Sequence, residues 1–344
     1  MIICPTCNSK ECIIPSSKIL TEVYQKYMAC LECQPDRQYR KDIPFHKLQS
    51  VINYSSCSGC GKRHLDVVIA HVLNILIEED LFDEYDSLRD VGTPLITIGY
   101  PIPYPPRLGN NDLILIMDRV DQKSANRIVD VVPEIKGVIK RVGLPSESIG
   151  ILDTDRYPHV YELLAGCDMR GDIVNSIFGE LCIYKTQSKI HIEFPREKSV
   201  KINKLEQLYI TGDLSGVIVD GFCGPGTLGL MCTLAGAEKI ILNDIYKPAI
   251  ENTLLNLEAN KEILQINKTE QFVDIKDLQT IGDDPILVAL AILENGTEIE
   301  VYIGDFRKLQ VHSCDVCLID TFPSINPTEF EEKWKTIAKK VVII

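Results

Sequence analysis

Val217-Ile-Val-Asp-Gly-Phe-Cys-Gly-Pro-Gly-Thr-Leu-Gly229 reads as a buried strand, a glycine turn and the start of a helix. Asp220 closes the strand. Gly224 and Gly226 let the main chain pass close to a ligand, and a helix beginning near Gly226 aims its free N–H groups at the same place. About twenty residues on, Lys239-Ile-Ile-Leu-Asn-Asp244 reads as a second strand ending in an acid, where nucleotide-binding α/β proteins hold a ribose. A glycine turn alone is weak evidence for a dinucleotide. The acid ahead of the turn, Asp220, lies outside the nicotinamide fingerprint and turns the reading away from it.

Outward from this loop the chain alternates. Strands are expected at Val217–Val219, Lys239–Leu242, Glu298–Ile303, Asp315–Ile319 and Val341–Ile344, with helices at 226–236, 247–260, 285–294 and 327–340. Strands separated by helices imply an α/β domain, a Rossmann-like parallel sheet covered on both faces, over 206–344. Ahead of it, 107–205 is expected as a small α+β domain: a strand Leu113–Met117, a helix Ser124–Val132, a strand Val138–Val142 and a hairpin pairing Leu181–Lys185 with Ser188–Phe194. Residues 65–106 hold an amphipathic helix, with Leu65, Val68, Ile69, Val72, Ile75 and Leu76 at helical spacing, and then five prolines between 94 and 106 that suggest a stiff linker.

Residues 1–64 are rich in cysteine and poor in apolar material. Of 13 cysteines, seven lie in the first 60 residues, and six of them form Cys-x-x-Cys pairs: Cys4 and Cys7, Cys30 and Cys33, Cys57 and Cys60. The start of the chain shows no secretory signal, so the expected compartment is the cytoplasm, where such spacing indicates metal rather than disulfides. Cys4/Cys7 and Cys30/Cys33 have the two-knuckle spacing of a zinc ribbon, and Zn²⁺ would replace the missing core. Cys57 and Cys60 with His64 form a further set, and Cys12 and His46 are spare ligands. One or two structural zinc ions are expected, with the pairing open and an iron–sulfur cluster as the competing reading.

The net charge of −13 excludes a protein that coats nucleic acid nonspecifically, and no apolar run is long enough to cross a membrane. The charge is uneven. Residues 1–64 carry nine basic and five acidic residues, a net of +4; residues 170–205 carry seven and four, a net of +3. Lys185, Lys189, Arg196, Lys198, Lys201 and Lys204 are therefore candidates for gripping phosphates.

Taken together, Asp220-Gly221-Phe222-Cys223-Gly224-Pro-Gly226-Thr227 and Asn243-Asp244-Ile245-Tyr-Lys-Pro resemble the S-adenosylmethionine site of class I methyltransferases. The resemblance implies that the loop wraps the amino-acid moiety, that Asp244 grips the ribose, and that Asp305, followed by Phe306, meets the adenine. More closely, the helix running to Asn260, the segment Tyr161-Glu-Leu-Leu-Ala-Gly166 and the region Leu181–Phe194 resemble the archaeal and eukaryotic tRNA guanine N1-methyltransferases and the related wybutosine-synthesis transferases. The chain departs from that family in three ways. Its Asn-Leu-Pro acceptor motif is replaced by Asp320-Thr321-Phe322-Pro323, the usual closing hairpin of the sheet is missing or replaced, and Asp305 lies 45 positions after Asn260.

The expected activity is S-adenosylmethionine-dependent methyl transfer to a macromolecule, foremost a tRNA base. Asp320 is the candidate for orienting the acceptor or taking its proton, beside Thr321, Phe322 and Pro323. A protein side chain as acceptor and a catalytically silent S-adenosylmethionine-binding module are the alternatives. A protein partner or a second copy of the chain is the further expectation, to complete the sheet.

Overall fold

The structure, a computed structural model, describes residues 2–35, 39–142, 160–197, 199–278, 284–322 and 325–344. It begins with helix α1 (Ser16–Lys26), the short strand β1 (Arg63–His64) and helix α2 (Leu65–Glu78). The sequence predicts one apolar face on α2. In the fold both faces are used, and Asp66–Ala70, Val72, Leu73, Ile75 and Leu76 are buried. Arg63, just ahead, is itself buried and makes a two-pronged ion pair with buried Glu134, its Nε donating at 2.6 Å.

Strands β2 (Thr93–Ile96), β3 (Ile98–Gly99) and β4 (Arg107–Leu108) run through the proline-rich stretch expected as a linker. They are followed by β5 (Leu113–Met117), α3 (Gln122–Val131), β6 (Ile135–Val142), β7 (Val160–Gly166), β8 (Met169–Ser176) and β9 (Gly179–Thr186). One sheet has the order β2-β5-β6-β7 and another the order β3-β8-β9. Pro94 is tolerated because β2 is an edge strand, where a missing N–H costs no ladder bond. The expected hairpin is displaced. β9 pairs antiparallel with β8, from Met169 opposite Thr186 to Ser176 opposite Gly179, and 188–194 forms no strand. The tight turn Ile177-Phe178 joins the two strands, and Gly179, at φ +139°, opens β9.

The second half contains α4 (Val200–Ile210), β10 (Val217–Asp220), α5 (Thr227–Leu234), β11 (Lys239–Asp244), α6 (Lys247–Ala259), β12 (Ile266–Gln271), β13 (Ile286–Leu293), β14 (Glu298–Ile303), β15 (Cys314–Ile319), α7 (Thr328–Trp334) and β16 (Ala338–Ile343). The sheet order is β12-β13-β14-β11-β10-β15-β16, and β14, β11, β10, β15 and β16 are parallel, the doubly wound arrangement expected. The expected helix over 285–294 is instead β13, antiparallel to both β12 and β14. An unbroken run such as Ile286-Leu-Val-Ala-Leu-Ala-Ile-Leu293 has no period by which strand and helix can be told apart. The β12–β13 hairpin also accounts for the long gap between Asn260 and Asp305. β16 forms the other edge, and within the described residues no closing hairpin lies beyond it.

One apolar core joins Ile13, Tyr27 and Phe45 of the cysteine-rich part to Val68 and Leu73 of α2, to Leu113 and Met117 of β5, and to Tyr184 of β9. A second fills the α4–α6 side of the large sheet, and a third, around Trp334 and Phe306, fills its other face. Among the described residues no helix is long and apolar enough to cross a membrane.

Candidate functional site

The four central parallel strands each end in an acid or are followed by one within two residues. Across the sheet these are Asp305 after β14, Asp244 on β11, Asp220 on β10 and Asp320 after β15. The connections run outward in opposite directions from the gap between β10 and β15, so Asp220 and Asp320 flank the point where an open α/β sheet leaves a crevice at its carboxyl edge.

Asp220 is fully buried. Its Oδ2 accepts the Gly229 N–H at 3.1 Å, and its Oδ1 has no partner of hydrogen-bond geometry among the described residues. Burial pushes its pKa up to about 7, with the Asp320 carboxylate adding to the effect and the Gly229 N–H opposing it. Gly224 donates its N–H to Asp244 Oδ2 at 2.9 Å, adopts φ +53°, and faces open space where a side chain would project. Gly226, at φ +85°, starts α5, with Thr227 its first residue. Asp244 also accepts from the Tyr246 N–H; burial raises its pKa against these bonds. Asn243 is buried and its amide bridges Gly221 O and Gly304 O, tying three strand ends together. Cys223 is buried, and Ile245 is exposed.

Phe306 lies against Gly221 so closely that a Cβ there would meet its ring at 2.2 Å, and it stacks on Trp334 with ring centroids 4.5 Å apart. Phe222 packs edge-on to Phe306 and Phe330. Asp305 is held by Arg307, whose Nε and guanidinium nitrogens reach it at 2.7–3.0 Å, and this pairing keeps its carboxyl below the usual range.

Asp320 accepts from Lys201 Nζ at 2.7 Å. Burial raises the Asp320 pKa while Lys201 opposes the shift. Lys201 also pairs with Glu193 (3.4 Å), Glu193 with Lys185 (3.2 Å), and Lys185 with Asp172 (3.4 Å), which pairs with fully buried Arg170. Lys185 holds the Glu193 carboxyl down at about 2. This chain of alternating charge reaches from the small sheet to the crevice, and it pairs Lys185 and Lys201, two of the candidates for gripping phosphates, with carboxylates that sequence alone does not reveal. Lys204 reaches the Ile343 carbonyl, whereas Lys189 and Arg196 are exposed. Thr321 donates to Ile325 O at 3.4 Å, and Phe322 is exposed with His191 6.2 Å from its ring. Pro323 and Lys198 lie outside the described residues.

The cysteines group differently from the ribbon expectation. Cys30, Cys33, Cys57 and Cys60 gather in one set, and Cys4, Cys7, Cys12 and Cys167 in another. In the first, Cys30 lies 3.7 Å from Cys33 and 3.6 Å from Cys57, and Cys33 lies 3.6 Å from Cys60. Thiolates about 2.3 Å from a tetrahedral Zn²⁺ would stand about 3.8 Å apart, so these spacings fit a metal. His64 joins neither set; it caps α2 by accepting the Asp66 N–H. His46 faces the Glu84 carbonyl. Cys167 has no knuckle partner in sequence, which is why it was missed.

No family model matches the chain, and no curated protein matches it. Solved structures do. P. horikoshii TYW2 in complex with MeSAdo is 18% identical over 79% of this chain and 76% of its own, with a TM-score of 0.41. A complex of aTrm5 and tRNALeu is 16% identical over 97% and 84%, with a TM-score of 0.39. Trm5b from Pyrococcus abyssi is 16% identical over 67% of this chain, with a TM-score of 0.37, and the chain spans 55% of its length.

Proposed function

We propose that the chain is an S-adenosylmethionine-dependent methyltransferase whose acceptor is a tRNA base. The observation that carries the reading is the row of acids at the carboxyl edge, with the orphaned Oδ1 of buried Asp220 beneath an open glycine turn. A buried carboxylate oxygen without a donor is costly unless a ligand supplies one, and the ammonium group of S-adenosylmethionine is such a donor. Asp244 retains lone pairs for ribose hydroxyls. Bound there, the cofactor supplies an electrophilic methyl group.

Little covalent help is needed from the protein. Its task is to align the acceptor and exclude water. Asp320, across the crevice from Asp220, orients the acceptor or takes its proton, and Lys201 holds the carboxylate in place. Exposed Phe322 offers a face for an acceptor base. The tRNA assignment rests on the sequence resemblance, on the positive cysteine-rich part, and on exposed Lys189 and Arg196. A structural Zn²⁺ held by Cys30, Cys33, Cys57 and Cys60 completes the proposal.

The test is radiolabelled methyl transfer to host-cell extract divided into nuclease-treated and protease-treated portions. Loss of label only after nuclease is the expected result. Loss only after protease would move the acceptor to a protein. Measured S-adenosylmethionine binding with no label in any fraction would overturn the enzymatic reading.

A further inference from the structure

Cys167 sits in the turn between β7 and β8, 163 residues after Cys4, yet the two sulfurs are 3.7 Å apart, and Cys12 lies 3.6 Å from Cys167. With Cys7, all four sulfurs lie within 4.8 Å of one another. A disulfide would bring one pair to about 2 Å. These spacings are instead the edges of a metal-centred tetrahedron.

We propose that Cys4, Cys7, Cys12 and Cys167 bind a second Zn²⁺ that clasps the N-terminal knuckle onto the β7–β8 turn. The surroundings are built for it. In the knuckle the Cys4 N–H reaches Ser9 O, and Asn8 takes a positive φ of 56° while donating to Cys4 O. In the turn, Gly166 takes φ +73°, the Cys167 N–H donates to Lys136 O at 2.8 Å, and Lys136 Nζ donates to Met169 O at 2.6 Å. Thr6, between the two knuckle cysteines, donates to Asp168, the neighbour of Cys167. Such outer bonds fix the direction of metal ligands. Four sulfur donors with no oxygen or nitrogen suit Zn²⁺, and binding releases the four thiol protons to solvent with no change of oxidation state. The clasp does not depend on the methyl-transfer reading.

Metal analysis of the full chain, purified under reducing conditions, tests it. Two Zn²⁺ per chain are expected, with X-ray absorption showing only sulfur neighbours near about 2.3 Å. Cys167→Ser should lower the content to one, as should Cys57→Ser. Cys167→His should keep two and add nitrogen to the averaged shell. One Zn²⁺ in the unaltered chain, two retained by Cys167→Ser, iron in place of zinc, or a Cys12–Cys167 disulfide would each overturn the clasp. The count and shell of the unaltered chain decide the question even where a variant fails to fold. Methyl transfer is read separately, so the two proposals fail independently.

Discussion

Asn256 on α6 replaces a strand for Tyr184 on β9: its Oδ1 accepts the Tyr184 N–H at 2.7 Å and its Nδ2 donates to the Tyr184 carbonyl at 2.9 Å. The same amide donates to Pro225 O, in the glycine turn, at 2.9 Å. One turn to either side, Asn252 accepts from Thr186 N–H and Asn260 donates to Cys182 O, so a ladder of asparagines at i, i+4 and i+8 docks β9 onto the domain that carries the glycine turn. Tyr184 then passes the connection on, its hydroxyl donating to Ile14 O and accepting from Ile14 N–H.

Asn256→Ala should lower stability by about 2–4 kcal/mol, because several buried main-chain groups lose partners worth roughly 1–3 kcal/mol each. Asn256→Asp should be worse near neutral pH, where a carboxylate would face two carbonyls, and should partly recover in acid, where the protonated group regains a donor. Denaturant unfolding at two pH values checks both. Equal stability of Asn256→Ala and the unaltered chain would show the ladder to be incidental.

Glu134→Ala should cost about 3–5 kcal/mol, since it strands the buried Arg63 guanidinium. Replacing both residues with apolar ones of similar volume should restore much of the loss. Thermal unfolding of the single and double variants measures it.

Under the proposed function, Asp220 should make S-adenosylmethionine affinity depend on pH. With a pKa of about 7 in the folded protein, Asp220 is mostly protonated below that value and offers no charge to an ammonium group. Affinity should fall roughly tenfold per unit as pH drops below 7 and level off above it. For stability the sign is opposite. Because the folded pKa lies above the unfolded one, the contribution of this group is fully present below about pH 4, declines as pH rises to about 7, and is flat beyond. Asp220→Asn should therefore bind cofactor weakly while unfolding at higher denaturant than the unaltered chain at pH 8. Calorimetric titration and unfolding on the same preparation test the pair of effects.

Asp320→Ala should leave S-adenosylmethionine binding intact and abolish turnover. Lys201→Met should retain binding and shift the pH–rate profile upward, because the carboxyl would lose the cation that opposes the effect of burial. Turnover by Asp320→Ala near the normal rate would remove Asp320 from the chemistry.

The glycine turn, the strands that bear Asp220 and Asp244, and the helix between them were legible because their signals are local: an apolar run, two glycines, an acid at a fixed distance. The β12–β13 hairpin was misread where an apolar run has no period. The Lys201–Asp320 pair spans 119 positions, and Cys167 meets Cys4 across 163, contacts that only the folded topology creates. Lys185 and Lys201 read as candidates for gripping phosphates because nothing beside them in sequence reveals the carboxylates they meet. Asn252, Asn256 and Asn260 were in plain view on one face of the predicted helix, and their four-residue spacing was the available clue to docking.

Trp334 is the only tryptophan in the chain, and it is fully buried against Phe306, whose ring covers Gly221. The protein thus carries its own optical probe: selectively excited indole emission comes from one position, in contact with the residue that lies over the start of the glycine turn. A ligand that displaces Phe306 will change that emission without any label being attached.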